Sequence, residues 1–268
     1  MKKNLIVHYI IIIVILAFLF IPLLATFVFS IASKWEATIL PEGLSLTWYS
    51  TIFKDPRFIS SAARSLLVCT ITVVLSLVIM IPTVFSVVVY KPRLEKYLNI
   101  ITTIPFAIPG VVFAVGLLNF YSKKPFMLTG TIWILVGAYF IIVLPYTFQS
   151  IRNSLRVINA KQLMDSAEIL HASKFQAFIR VVLPNISKGV ISSALLSFSI
   201  LFGEFVLTNL LAGGQFETVQ IYLYSKRAES GHITSAIVIS YFVVILILSI
   251  IILKIGSSRK ERKIEENL

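Results

Sequence analysis

Glu204 is the one acidic residue deep inside a long apolar run of this 268-residue sequence. A charge at the centre of a bilayer costs roughly 2.5–3.5 kcal/mol on insertion scales. A carboxylate kept there has to face the interior of a helix bundle. It either touches a polar or cationic solute on its way through, or makes a hydrogen bond or salt bridge to a neighbouring helix or a second subunit, and the sequence leaves both open. Asn209, five residues on, could share the same interface. Pro109-Gly110 interrupts another apolar run. Such a break either shapes a pathway or hinge, or lets two helices approach closely. Glu204, Asn209, Pro109 and Gly110 are therefore the candidates for lining a solute pathway.

Other chemistries find no residues to carry them. His8, His171 and His232 fall in three separate segments and cannot assemble a metal site. Cys69 is the only cysteine, so no intramolecular disulfide forms. No Gly-x-x-x-x-Gly-Lys-Ser/Thr, Gly-x-Ser-x-Gly or His-Glu-x-x-His pattern occurs, which leaves no cradle for ATP and no hydrolytic nucleophile or zinc site. No catalytic residue and no cofactor is expected. The formal net charge is +12, yet no basic helix or aromatic-interleaved patch sits in a soluble stretch, so nucleic acid is not the partner.

The elements that would position these residues are membrane helices. The chain is 57% hydrophobic and only 13% charged, against about 25% charged in soluble domains, and its mean hydropathy is +0.92. Lipid is the solvent such a chain fits. The fold expected is an all-α membrane protein, one transmembrane domain over residues 1–268, with six apolar runs at about 5–31, 65–90, 98–120, 130–148, 189–212 and 233–253. The first run is too long for a signal-peptide core of about 7–15 residues and is read as an uncleaved helix. The short alternating runs of a β-barrel are missing from all six. With both termini inside, the inner segments hold 16 Lys and Arg and the outer ones 8, which places both termini in the cytoplasm.

The longest inner segment is about 149–188, and a loop of that length predicts structure and function of its own. Ile151, Leu155 and Ile158 recur at helical spacing. A second helix is expected from Gln162 to about Phe178, with Leu163, Ala167 and Leu170 on one face, ended by Pro184. Taken alone, this pattern also fits an amphipathic helix lying on the membrane surface.

The stretch from Asp165 to Pro184 resembles the signature loop of ABC importer permeases, which reads Glu-Ala-Ala, three residues, Gly, and later a hydrophobic residue, Leu and Pro. Asp165, Ser166 and Ala167 stand at the Glu-Ala-Ala positions, His171 at the glycine, followed by Ala172 and Ser173, and Leu183-Pro184 close the motif. His171 is the main departure: glycine there gives a positive φ that histidine adopts less easily, so a turn of the family's shape would strain it. Leu46-Thr-Trp-Tyr49 with Asp55-Pro56 and Ser65-Leu66, and the run Pro105 to Gly110, also resemble family patterns. The likeness covers roughly Leu46 to Ile255. Ser197-Phe198, Gly203-Glu204-Phe205 and Thr208 resemble most the branch that moves polyamines, ferric iron, thiamine or phosphonates.

The resemblance implies a permease subunit in a bacterial inner membrane, with no ATPase activity of its own. It implies that Asp165, Ser166, Ala167, Leu170, His171, Ala172, Ser173, Leu183 and Pro184 form a cytoplasmic coupling helix docked on a dimer of ATPase subunits. A second permease, a homologue in a heterodimer, would complete the pathway, and an extracellular or periplasmic substrate-binding protein would deliver a small polar or cationic solute such as a polyamine. A secondary transporter would be expected to show inverted repeats or several intramembrane charges; the sequence has neither.

Overall fold

The computed structural model describes residues 2–35 and 38–265. Among the described residues thirteen α-helices follow one another: α1 Lys2–Ile31, α2 Thr47–Lys54, α3 Pro56–Tyr90, α4 Pro92–Thr103, α5 Gly110–Tyr121, α6 Ile132–Val157, α7 Ala160–Ile169, α8 Lys174–Ala177, α9 Leu183–Asn185, α10 Ser187–Phe202, α11 Val206–Leu211, α12 Val219–Lys226 and α13 Gly231–Glu265. Among the described residues the one β pairing is an antiparallel bridge between Ala32 and Leu44.

Among the described residues four segments are long and apolar enough to cross a bilayer alone: Val7–Ile31, Pro56–Tyr90, Ile132–Val157 and Gly231–Ile251. They correspond to the first, second, fourth and sixth runs, and three of the four helices extend well past the expected ends. α3 starts at Pro56 because Asp55 caps it: Oδ1 of Asp55 accepts the Arg57 backbone N–H at 2.8 Å, and a proline at the first helical position loses no hydrogen bond. α6 continues through Val157, so the stretch from Gln149 to Val157, expected in the loop, belongs to the fourth apolar helix.

The expected third and fifth spans are not single helices. α4 tightens into a 3₁₀ turn over Ile104–Ala107, and the chain then turns by 99° into α5. Pro109 forces Ile108 into an extended conformation (φ −97°, ψ 121°), as a residue before proline requires, and Pro109 then caps α5 by accepting the Phe113 N–H at 3.0 Å. In place of a helix over 189–212, α10 ends at Phe202 and α11 starts afresh at Val206. At its other end α10 follows the run Lys174–Asn185 across a 65° bend.

The chain divides into two compact units, residues 1–61 with 222–245 and residues 62–221 with 246–268. In the first, Trp48 donates its indole N–H to the Ala32 carbonyl at 2.8 Å, and the His232 ring lies flat between Phe29 and Trp48, with centroids 4.1 and 5.3 Å away. Tyr222 donates to Oδ2 of Asp55 at 2.7 Å. That bond, with the Arg57 N–H on the other oxygen, holds the Asp55 carboxyl below the usual carboxylate range, and the buried, carboxylate-bound Tyr222 hydroxyl is pushed above the usual phenol range.

The second unit holds a core in which Met80, Val84, Phe85 and Val89 of α3, Phe148, Ile151 and Leu155 of α6, and Ala160, Met164 and Ala167 of α7 pack together. α6 and α10 approach closely at Gly189, whose carbonyl accepts the Ser150 hydroxyl at 2.8 Å. Gly130, at φ +78°, donates its N–H to the Leu211 carbonyl at 2.9 Å and lies under the Gln215 side chain. A side chain here would bear left-handed strain and have to displace the Gln215 amide.

Candidate functional site

The segment between α6 and α10 is helical almost throughout, and it is not the one helix expected from Gln162 to Phe178. Asn159, at φ +49°, redirects the chain from α6 into α7. Asn tolerates this left-handed conformation better than most residues. α7 then ends in a turn built on His171, at φ +61°. The His171 N–H bonds the Glu168 carbonyl and the Ala172 N–H bonds the Ala167 carbonyl, both at 3.0 Å. These two bonds form the Schellman motif that normally employs glycine. The turn therefore keeps the shape that glycine would give, and His171 bears the strain. Ser173 follows as a capping box: its hydroxyl accepts the Gln176 N–H at 3.3 Å while the Gln176 side chain accepts the Ser173 N–H at 3.1 Å. α7 and α8 thus form one helix–turn–helix unit in which both ends of the turn are tied.

Which side of this unit faces outward differs from the expectation. The inward face of α7 is Ala160, Met164 and Ala167, all buried, which shares only Ala167 with the expected Leu163, Ala167 and Leu170. Leu170 is 80% exposed, because α7 ends there and the left-handed turn swings it outward. Ala167, at 7% exposure, is pressed on the chain's own core and is closed to a partner. Asp165, Ser166, His171 and Ser173 are exposed, Ala172 half-buried. Ile169 and Phe175, which sequence reasoning missed, are 78% and 74% exposed. Apolar residues inside a motif read as buried, so a pattern based on periodicity could not have found them; the glycine position of the motif was the signal that the helix stops.

Pro184 does not end the helical run. The chain winds as a π-helix over Phe178–Val182, with the Leu183 N–H reaching back five residues to Phe178. The missing N–H of Pro184 is absorbed in that wider turn, and the run continues to Asn185. Leu183 and Pro184 are half-buried, and Leu183 packs against the core. Lys174 places its ammonium 5.4 Å from the Tyr90 ring centroid, and Phe178 packs 4.5 Å from Phe85, so the end of α3 grips α8 and the π-helix.

Three of the four pathway candidates, Pro109, Gly110 and Glu204, stand at two helix breaks that lie side by side, while Asn209 lies within α11. A Cβ on Gly110 would touch Val206 Cγ1 at 4.0 Å, which brings the Pro109-Gly110 break against the unwound Gly203–Phe205. The bond that the Glu204 carboxylate makes is local. Its Oε1 accepts the Leu207 N–H at 2.7 Å and caps α11 locally. Its backbone carbonyl accepts the Thr208 hydroxyl at 3.3 Å, and Thr208 is in turn hydrogen-bonded to Tyr139 of α6. Glu204 is half-buried, while Gly110, Pro109 and Asn209 are exposed.

Residues 77–261 match the family described as binding-protein-dependent transport system inner membrane component. A provisionally named 2-aminoethylphosphonate transport system permease protein, PhnV of Salmonella typhi, is 26% identical over 78% of this chain and 79% of its own length. The spermidine/putrescine transport system permease protein PotC of Haemophilus influenzae is 24% identical over 92% of this chain and 94% of its own length. Among solved structures, a chain of a bacterial alginate ABC transporter, crystallised with a periplasmic protein carrying an alginate pentasaccharide, superposes with a TM-score of 0.72 at 17% identity, covering 94% of this chain and 93% of the other. The structural likeness speaks for the fold, and the family match over most of the chain decides the class: this chain belongs to the binding-protein-dependent transport system inner membrane components, the permease subunits of ABC importers.

Proposed function

We propose that the chain crosses the membrane six times, each bent helix pair counting as one crossing, with both termini in the cytoplasm. It forms half of a translocation pathway completed by a second, homologous permease. The α7–α8 unit is the coupling element that seats in a groove of a separate ATPase subunit, itself part of a dimer. The observation that carries this reading is the two-sided build of α7. Ala160, Met164 and Ala167 lock it to α3 and α6, while Asp165, Ile169 and Leu170 stand exposed on the other side. A rigid helix anchored on one face and open on the other suits helix-in-groove docking and the transmission of a rigid-body movement. ATP-driven closure of the ATPase dimer would move the coupling elements together and open the pathway outward, where a binding protein releases the solute; hydrolysis would return it inward.

The solute of this reading is a small polar molecule bearing a cationic amine. Spermidine, putrescine and 2-aminoethylphosphonate, named for the relatives, share an ammonium on a short alkyl chain, and Glu204 supplies a carboxylate beside the paired helix breaks. A polyamine stands first; phosphonate, ferric iron and thiamine are the alternatives within the branch.

The test is co-purification of the permease with its ATPase, comparing the natural chain with Asp165→Lys/Leu170→Glu. Both substitutions fall on exposed positions, so membrane insertion and thermal stability should be unchanged. The expected result is loss of ATPase binding and of transport-coupled hydrolysis. Undiminished binding would return α7–α8 to the status of a surface helix. Uptake of labelled putrescine and 2-aminoethylphosphonate, with and without Glu204→Gln, separates the two solute readings.

A further inference from the structure

α4 has two faces of opposite character. One is tied to α6: Glu95 pairs with Arg152 and, at 2.7 Å, with Arg156, Gln149 donates to Asn99 Oδ1 at 2.9 Å, and Thr102 is buried. The other face is uncovered. Leu94, Tyr97, Ile101 and Ile104, spaced at i, i+3, i+7 and i+10, are 45–63% exposed. Lys91 precedes α4 and Arg93 and Lys96 lie in its first turns beside this stripe, all exposed, and none forms a salt bridge among the described residues. The surface runs from three cations interspersed with Leu94, through the Tyr97 ring, to Ile101 and Ile104.

We infer that this face of α4 binds an acidic phospholipid of the bilayer, with the headgroup phosphate on Lys91, Arg93 and Lys96 and an acyl chain along Tyr97, Ile101 and Ile104. The gradation matches a lipid from headgroup to tail, with tyrosine at the boundary level it prefers. A second copy of this chain fits the face poorly. A two-fold contact places like residues near like, and three cations would meet three cations without a carboxylate among them, since Glu95 is engaged on the other face. The same end of the unit carries the α7–α8 segment, through the contacts of Tyr90 with Lys174 and of Glu95 with α6. A lipid held there is therefore seated on the helix that leads into that segment. This assignment needs only that the chain lies in a bilayer, and stands whether or not α7 engages an ATPase.

The experiment places a reporter on the stripe, Tyr97→Trp, in the full chain reconstituted in phosphatidylcholine vesicles with a rising mole fraction of brominated phosphatidylglycerol or brominated phosphatidylcholine; fluorescence is read as the difference from the natural chain with its own tryptophans. Each cation near an anionic surface contributes about five-fold in association. The brominated acidic lipid should therefore quench the reporter at lower mole fraction than the neutral one, and the preference should fall in steps of up to about five-fold through Arg93→Gln, Lys96→Gln and the triple Lys91→Gln/Arg93→Gln/Lys96→Gln. Equal quenching by both lipids would reduce the face to ordinary apolar contact with lipid tails and overturn the assignment. Absence of quenching by either would show the stripe covered by protein, which also overturns it. Should the triple variant fail to insert, the two single substitutions decide the matter by themselves.

Discussion

Replacing Gly189 by alanine should separate two membrane helices. A Cβ built at Gly189 would lie 1.7 Å from the Ser154 hydroxyl, 2.8 Å from the Ser154 Cβ and 3.3 Å from the Ser150 carbonyl. Rotating the Ser154 side chain relieves the first contact and breaks its 2.8 Å bond to the Ser150 carbonyl. Rotation does nothing for the second, because a Cβ is fixed to its backbone. α6 and α10 must then part by at least about 0.6 Å to reach an ordinary 3.4 Å contact, which also stretches the Ser150 hydroxyl bond to the Gly189 carbonyl. Overpacking at such a site costs about 1–3 kcal/mol, and the strained hydrogen bond adds about 0.5–1 kcal/mol. The assay is equilibrium unfolding in mixed micelles, followed by tryptophan fluorescence. Gly189→Ala should be destabilised by about 2–3 kcal/mol. Gly189→Ala/Ser154→Gly, which removes the opposing Cβ, should recover more than half of that loss despite the poor helix propensity of glycine. A harmless Gly189→Ala, or a double variant no better than the single, would refute the close approach of α6 and α10 as the reason for glycine here.

His171→Gly should leave the fold intact and stabilise the α7–α8 turn by up to about 1 kcal/mol, the relief of left-handed strain less the entropy glycine loses on folding. His171→Val should destabilise it by more than 1 kcal/mol, roughly, and melting in detergent would register the opposite signs. The bond from Tyr222 to Asp55 predicts a pH dependence of definite sign. Because the folded carboxyl titrates below its ordinary value near 3.8, the stability it contributes is present above that value and is lost as pH falls through the folded one. Tyr222→Phe should therefore be less stable than the natural chain at neutral pH, and the gap should close in acid below about pH 4. A gap of constant size across that range would mean that the contact stabilises by packing alone.

Much of the architecture was legible in one dimension because the bilayer imposes a one-dimensional demand: a run of about 20 apolar residues has few other fates. The runs at Leu5, Ser65, Gly130 and Ile233 became helices for that reason, although α3 starts nine residues before the expected Ser65, at Pro56. The glycine position of the loop motif also carried its meaning, since a residue at φ +61° is what His171 proved to be. The register of α7 was not legible. Leu163, Ala167 and Leu170 and the actual Ala160, Met164 and Ala167 are nearly the same periodic pattern, and only packing against Phe85, Phe148 and Leu155 decides between them.

The broken helices show the same division. Pro105, Pro109 and Gly110 announce an interruption, because a missing N–H and a missing Cβ are properties of single residues. The 99° turn that follows, and the partner the break meets at Val206, depend on residues about a hundred positions away in the chain. Glu204 was conspicuous by its charge alone, yet its bond to the Leu207 N–H exists only because α10 unwinds at Gly203 and α11 starts again. The sequence determined that this chain is a membrane-embedded bundle of permease type, since hydropathy and motif spacing are local. Tertiary structure decided which faces are open, where helices break and what each polar group bonds, because those depend on which distant residues arrive at the same place.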